Sequence, residues 1–343
     1  MTDLSQESMR GRGIITLVIA MKRIMKTLIV GMIAGSLGFA AGCGGVVASP
    51  KTILMSTKPH DGMVSSYRRL YPLHLPAGLK MYQIEYWSHH VQVEALLTEP
   101  LQAGQYPLLV NLHGGWVLGP HPHDNFGYTP TDAASLASEG LVELYPEYQG
   151  YGGSSGPTAG IRTDFINTQE AMKIAMEFGE VKVHDTYLWG YSLGGGLALM
   201  TAGWDHQVRA VVAVSPFVGL TDTVAFWRLH PKLGGPSGNP NEAQNFIRVF
   251  GSDAQGQAYR LRSPEPKAIQ APILLLQGTA DQRVLWQTVQ MFAGQMKKDH
   301  KPVTLILYPG GHHGLHHKYA RASAAAIAHW FQRYGLNLGD VRF

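Results

Sequence analysis

Cysteine is almost missing: Cys43 is the only one among 343 residues, which excludes a disulfide framework within the chain and a zinc site built from several thiolates. Charge is also sparse. With 15% charged residues against 45% hydrophobic ones, the chain has the apolar content to bury a core and is neither disordered nor collagen-like. Long apolar runs are lacking too, since the one at 27–42 has 16 residues, contains Gly31, Gly35, Gly38 and Gly42, and falls short of the roughly 20 that span a bilayer. No internal repeat is present. No G-x-G-x-x-G fingerprint follows a first strand either; Gly150-Tyr151-Gly152-Gly153-Ser154-Ser155-Gly156 has a different spacing, which argues against dinucleotide binding.

The basic excess, 28 Lys and Arg against 24 Asp and Glu, is unevenly placed. Residues 1–42 carry Arg10, Arg12, Lys22, Arg23 and Lys26 against Asp3 and Glu7, a net +3, which leaves +1 for the other 301 residues. This predicts export rather than a nucleic-acid partner. Basic residues, an apolar run and small residues before Cys43 follow the plan of a secretory signal. Ala40-Ala41-Gly42-Cys43 resembles the lipobox of bacterial lipoproteins, which implies a lipid anchor on Cys43 and a domain held at a membrane, facing the periplasm or cell exterior. Ordinary signal cleavage near Ala48 is the alternative, and translation from Met21 or Met25 would shorten the leader. The expected organisation is a signal peptide over 1–42, a linker and extension over 43–80, one globular domain over 81–336 and a tail over 337–343.

Residues 82–87 and 91–97 alternate at period two around Ser88-His89-His90, the pattern of a hairpin. The apolar run 107–112 suits a strand covered on both faces. Further strands are expected at 141–145, 187–189, 208–214, 272–276 and 303–308, with helices at 133–139, 163–178, 193–203, 284–298 and 318–334. Strands alternating with helices predict an α/β fold, a mostly parallel sheet with an antiparallel leading hairpin and helices on both faces. The stretch 217–267 breaks the rhythm and is expected to be an inserted cap with its own helices, shaping the substrate entrance.

Gly190-Tyr191-Ser192-Leu193-Gly194 fits G-x-S-x-G between a strand and a helix, where a tight turn lifts a serine hydroxyl clear of the sheet. The N–H of Leu193 then starts the helix and can donate to a developing oxyanion. A serine needs a base to become a nucleophile, and the base needs an orienting acid. Asp281 follows the strand 272–276; capping the next helix is its structural alternative, and Asp253 and Asp222 follow no core strand. After the last strand come His312 and His313, which cannot both face Ser192. The order Ser192, Asp281, histidine is that of α/β-hydrolases. His113-Gly114-Gly115-Trp116 follows the strand 107–112, and an N–H of Gly115 or Trp116 is placed to supply the second oxyanion donor. Tyr191, Tyr148 and Trp116 are candidates for the substrate pocket or for plain core packing.

Together, 106–115, 148–154, 190–194, Ser263-Pro264, 271–281 and 308–314 resemble the catalytic domain of the prolyl oligopeptidase family of serine peptidases, over roughly 82–334. The resemblance implies the α/β-hydrolase fold, a triad of Ser192, Asp281 and His313, no cofactor, and a small ester or short peptide as substrate. His313 is preferred over His312 because a His-Gly pair four residues after the proline matches the family pattern. Larger members carry an amino-terminal β-propeller; fewer than 40 residues separate Cys43 from the strand at Tyr82, too few for one. Carboxylesterase or acetyl-ester hydrolase activity without peptidase activity is therefore a second expectation.

Readings of another class are a metal site on His312-His313-x-x-His316-His317 or His121-x-His123-Asp124, and a non-catalytic surface lipoprotein on the same scaffold. The sequence is expected to hold no metal.

Overall fold

The computed structural model describes residues 59–178, 180–229 and 242–338. The leader and Cys43 lie outside the described residues. Among those described, no helix is long and apolar enough to cross a membrane.

Among the described residues nine strands form one sheet. They are β1 (Val64–Leu70), β2 (Leu79–Ser88), β3 (Val91–Pro100), β4 (Tyr106–Leu112), β5 (Val142–Pro146), β6 (Val181–Tyr191), β7 (Val208–Val214), β8 (Ile273–Gly278) and β9 (Val303–Tyr308). Their spatial order is β1-β2-β3-β5-β4-β6-β7-β8-β9. From β1 to β5 neighbours run antiparallel, and from β5 to β9 parallel. The helices are α1 (Pro130–Leu136), α2 (Ile161–Phe178), α3 (Leu193–Trp204), α4 (Leu220–Leu229), α5 (Glu242–Phe250), α6 (Gln257–Arg260), α7 (Trp286–Lys298) and α8 (Ala320–Arg333).

Successive strand side chains point to opposite faces, and the core divides accordingly. Leu108, Val110, Val211, Ala213, Ile273 and Leu275 join a cluster that includes Leu197 of α3 and Phe292 of α7. Leu109, Val212, Leu274 and Leu276 face the other way, onto Ile327 and Phe331 of α8. Both faces of the parallel strands are thus covered, which is why these strands read as near-continuous apolar runs.

Among the boundaries that differ from the sequence reading, three bear on the architecture. The segment 43–80, taken as a linker and extension, contains β1, which pairs with β2 and stacks Tyr67 on Tyr82 at 4.5 Å. Arg68 and Arg69 on this edge strand obscure its alternation. The first helix begins at Pro130 rather than 133, because Thr129 and Asp132 form a reciprocal capping box with proline in the first turn. The end at 336 is too early: Leu338 is buried in the second cluster, and its carbonyl accepts from the Ser138 hydroxyl.

The insertion 217–267 carries α4, α5 and α6, the helices expected of a cap. Their apolar faces are not free, however. Val224, Phe226, Phe246 and Tyr259 are buried in the main cluster with α3 and α7, so these helices extend one layer of the sandwich.

Candidate active site

Ser192 sits between the end of β6 and the start of α3 with φ 56° and ψ −118°. Such a conformation costs a non-glycine residue on the order of 1–3 kcal/mol. Backbone hydrogen bonds hold it: Ser192 N–H donates to Val214 O at 2.9 Å, and its carbonyl accepts from Phe217 N–H at 2.9 Å and Gly196 N–H at 3.2 Å. The flanking glycines are required by contact. A Cβ on Gly190 would come within 2.2 Å of Gly194 O, and one on Gly194 within 2.0 Å of Leu112 O.

His313 lies in the loop after β9. Its Nε2 is 3.0 Å from Ser192 Oγ and its Nδ1 is 2.9 Å from Asp281 Oδ2. Since an ionised carboxylate only accepts, Nδ1 carries the proton and Nε2 is left to accept from the serine hydroxyl. Asp281, in the turn after β8, is 4% exposed. Its Oδ2 also accepts from Gln277 Nε2 at 3.0 Å, and its Oδ1 from the N–H groups of Arg283 and Val284 at 2.8 and 2.9 Å. Burial alone would raise its pKa, but the His313 contact and the two backbone donors outweigh burial and hold it below the usual carboxylate range. The capping alternative for Asp281 is not realised: α7 begins at Trp286 with Leu285 at its N-cap and no side-chain cap, so Oδ1 braces the turn before that helix while Oδ2 faces His313. His312 is exposed and makes no contact with Ser192 among the described hydrogen bonds.

Gly114 runs beside Ser192 and Tyr191. Its carbonyl accepts from His113 Nδ1–H at 2.6 Å. In a trans peptide the following N–H, that of Gly115, points the opposite way, away from the His113 ring. Burial pushes the His113 imidazole down to about 4, so the ring is neutral at neutral pH. The Trp116 N–H is differently placed: it donates to Tyr151 Oη at 2.7 Å, so of the two expected donors Gly115 is the one this arrangement leaves for an oxyanion. The Leu193 N–H opens α3, where a helix leaves its first donors without intrahelical partners and presents its positive end.

Tyr191 borders the site, with its ring 5.0 Å from that of His313. Tyr148 does not. It is fully buried, stacked on His113 at 4.1 Å with its hydroxyl donating to His113 O, and so packs behind the loop as part of the core. Two residues unnoticed in the sequence take part. Tyr151 ties down the turn at Trp116, and Ser215 Oγ accepts from Gly314 N–H at 3.0 Å, fixing the loop that bears His313. Ser215 directly follows β7, the strand beside β6, a position at the carboxyl edge of the sheet that carries a readable signal for a site residue.

A serine on a sharp turn, a histidine and a buried carboxylate at the carboxyl ends of parallel strands of one sheet fit the class of a serine hydrolase of α/β-hydrolase architecture. The sequence matches the prolyl oligopeptidase family over residues 129–337, and the chain belongs to that family. It is 27% identical over 259 residues to the uncharacterized peptidase YtmA of Bacillus subtilis, a match covering 74% of this chain and 94% of that protein. Among solved structures it resembles the Pyrococcus horikoshii acylaminoacyl peptidase, with TM-score 0.59 and 18% identity over 78% of this chain and 44% of the other. This chain therefore spans less than half the length of that peptidase. Acetyl xylan esterase 1 from Thermoanaerobacterium sp. aligns with TM-score 0.57 and 19% identity, over 79% of this chain and 88% of the esterase. At these identities the structural likenesses speak to the fold, which is the expected α/β-hydrolase fold with its antiparallel start.

Proposed function

We propose that Ser192, His313 and Asp281 are the catalytic triad of this serine hydrolase, acting on a small ester or short peptide through an acyl-enzyme. The observation that carries the reading is the continuous chain from Asp281 through His313 to Ser192, with links of 2.9 and 3.0 Å. Ser192 attacks the carbonyl as His313 Nε2 takes the hydroxyl proton. Asp281 holds the imidazole in the tautomer that allows this and stabilises the imidazolium. The tetrahedral oxyanion is met by the N–H groups of Leu193 and Gly115, at the positive end of α3. His313 then returns the proton to the leaving group, and water clears the acyl-enzyme by the same route. Ser192→Ala is expected to abolish both fluorophosphonate labelling and hydrolysis of short-chain p-nitrophenyl esters in a protein that stays folded. Full labelling of the variant would remove Ser192 from the role. A panel of acyl esters, acetylated sugars and aminoacyl or prolyl amides separates esterase from peptidase activity.

Export and anchoring through a lipid on Cys43 form the second part of the reading. Support comes from the sequence: the basic leader, the apolar run and Ala40-Ala41-Gly42-Cys43. Mass spectrometry of the mature amino terminus is expected to find a diacylglyceryl group on Cys43. An amino terminus near Ala48 would overturn it.

A further inference from the structure

The loop that carries His313 also walls a cleft of about 480 Å³, within the range of small-molecule sites. Its walls include His312, His313, His316, His317, Lys318 and Tyr319, and no carboxylate lines it. Among the described residues no acidic group pairs with Lys318, and the rings of His312, His316 and His317 make no hydrogen bond. Lys318 Nζ lies over the Tyr319 ring at 4.9 Å and the His316 ring packs on that of Tyr191 at 6.2 Å, contacts that leave their N–H groups without a hydrogen-bond acceptor. Nor are His, Cys, Asp and Glu side chains grouped there, or elsewhere among the described residues, in threes able to hold a metal ion.

The backbone of the loop is held in an uncommon shape. Leu315 and His317 have φ 58° and 60°, the left-handed region that side chains other than glycine seldom occupy. Leu315 is fully buried in the second core cluster, while His316, His317 and Lys318 are exposed on either side of that turn. Burial of the one leucine offsets the strain and fixes where the basic side chains emerge. Strain kept beside a reactive histidine is a reason to look for a ligand.

Position decides which part of a ligand this is. His313 faces Ser192 with Nε2 and lines the cleft as well. Because His313 delivers its proton to the departing group, whatever lies along its wall of the site is the leaving-group side of the substrate. We infer that the cleft binds a negatively charged oxyacid group, a carboxylate or a phosphate, carried on the leaving-group portion of the substrate. Lys318 supplies a point charge, and the histidine N–H groups supply hydrogen bonds that need no protonation. The inference rests on Ser192 being the nucleophile, and it narrows the substrate class to esters or amides whose released half is anionic.

Three matched esters test it: 3-acetoxybenzamide as the neutral probe, 3-acetoxybenzoate and 3-acetoxyphenyl phosphate as the anionic ones. With the full chain, kcat/KM for at least one anionic ester is expected to exceed that of the amide by roughly tenfold, mostly through KM. The anion that gains identifies the group. Lys318→Met and His317→Asn, the second chosen because asparagine tolerates a positive φ, are expected to bring the ratio close to one. Lys297→Met, an exposed basic residue on α7 outside the cleft, is expected to leave the ratio where it was. Equal rates on all three esters in the unaltered protein would overturn the inference while leaving the hydrolase reading intact. A preference that survives both variants does the same. If none of the three is cleaved and Ser192 is not labelled, the assignment of the nucleophile has failed first and this one falls with it.

Discussion

The backbone N–H of Trp116 donates to the Tyr151 hydroxyl across 2.7 Å, tying the turn after β4 to the glycine-rich loop after β5. The bond takes one of the two donors that the sequence offered to the oxyanion and holds the Gly114–Gly115 peptide beside Ser192. Tyr151→Phe keeps the ring and removes only the acceptor. On a short-chain ester we expect kcat to fall by about tenfold or more with KM little changed, since an oxyanion donor acts on the transition state. Steady-state kinetics decide the point; a raised KM with kcat retained would contradict it.

Between the two adjacent histidines, only His313 reaches both Ser192 and Asp281. His313→Ala is expected to lower kcat on a neutral ester by at least about 10³-fold. The loss should exceed that from His312→Ala by a hundredfold or so. Parallel measurement of the two variants is sufficient, and equal losses would return the base assignment to an open choice.

Glu143 on β5 is 1% exposed and accepts from the Tyr145 hydroxyl. Burial pushes its carboxyl from 4.5 up to about 7. Between those values the unfolded chain has lost the proton and the folded chain keeps it, so stability falls as pH rises through that window, and the loss is complete above about pH 7. His113 acts in the opposite sense. Its imidazole is pushed by burial from 6.5 down to about 4, so stability rises with pH across that interval. Glu143→Gln removes the first effect and leaves the second. In urea unfolding the variant should exceed the unaltered protein at pH 8 by on the order of 1–3 kcal/mol, with the margin closing near pH 4.5. A margin that is independent of pH would refute the burial argument.

Phe246 on α5 is fully buried, whereas Val249 on the same helix is 50% exposed. If the insertion belongs to the core, Phe246→Ala should cost about 3–5 kcal/mol of global stability. Val249→Ala should stay within roughly 0.5 kcal/mol. A freely opening cap predicts small losses at both positions.

Much of the fold could be read in advance because its signals are local. The two-residue alternation of 82–87 and 91–97 gave the hairpin β2–β3, and the apolar runs ending at Leu112 and Leu276 gave parallel strands covered on both sides. The edge strand β1 escaped because Arg68 and Arg69 interrupt its pattern, and edge strands are often charged. Helix α1 starts three residues before its first buried alanines, Ala133 and Ala134, because the capping box of Thr129 and Asp132, not the apolar pattern, sets its start.

The same division runs through the site. By itself the sequence determined the elbow glycines, the chain order of Ser192, Asp281 and the histidine pair, and the family, since each is read from short motifs whose residues are adjacent in the chain. Only the tertiary structure decided which histidine meets Ser192, which turn N–H Tyr151 occupies, and that Tyr148 packs behind His113. Each of those outcomes depends on contacts between loops 32 to 121 residues apart. No local propensity encodes such a distance, because the sheet register and the packing of loops at its carboxyl edge set it.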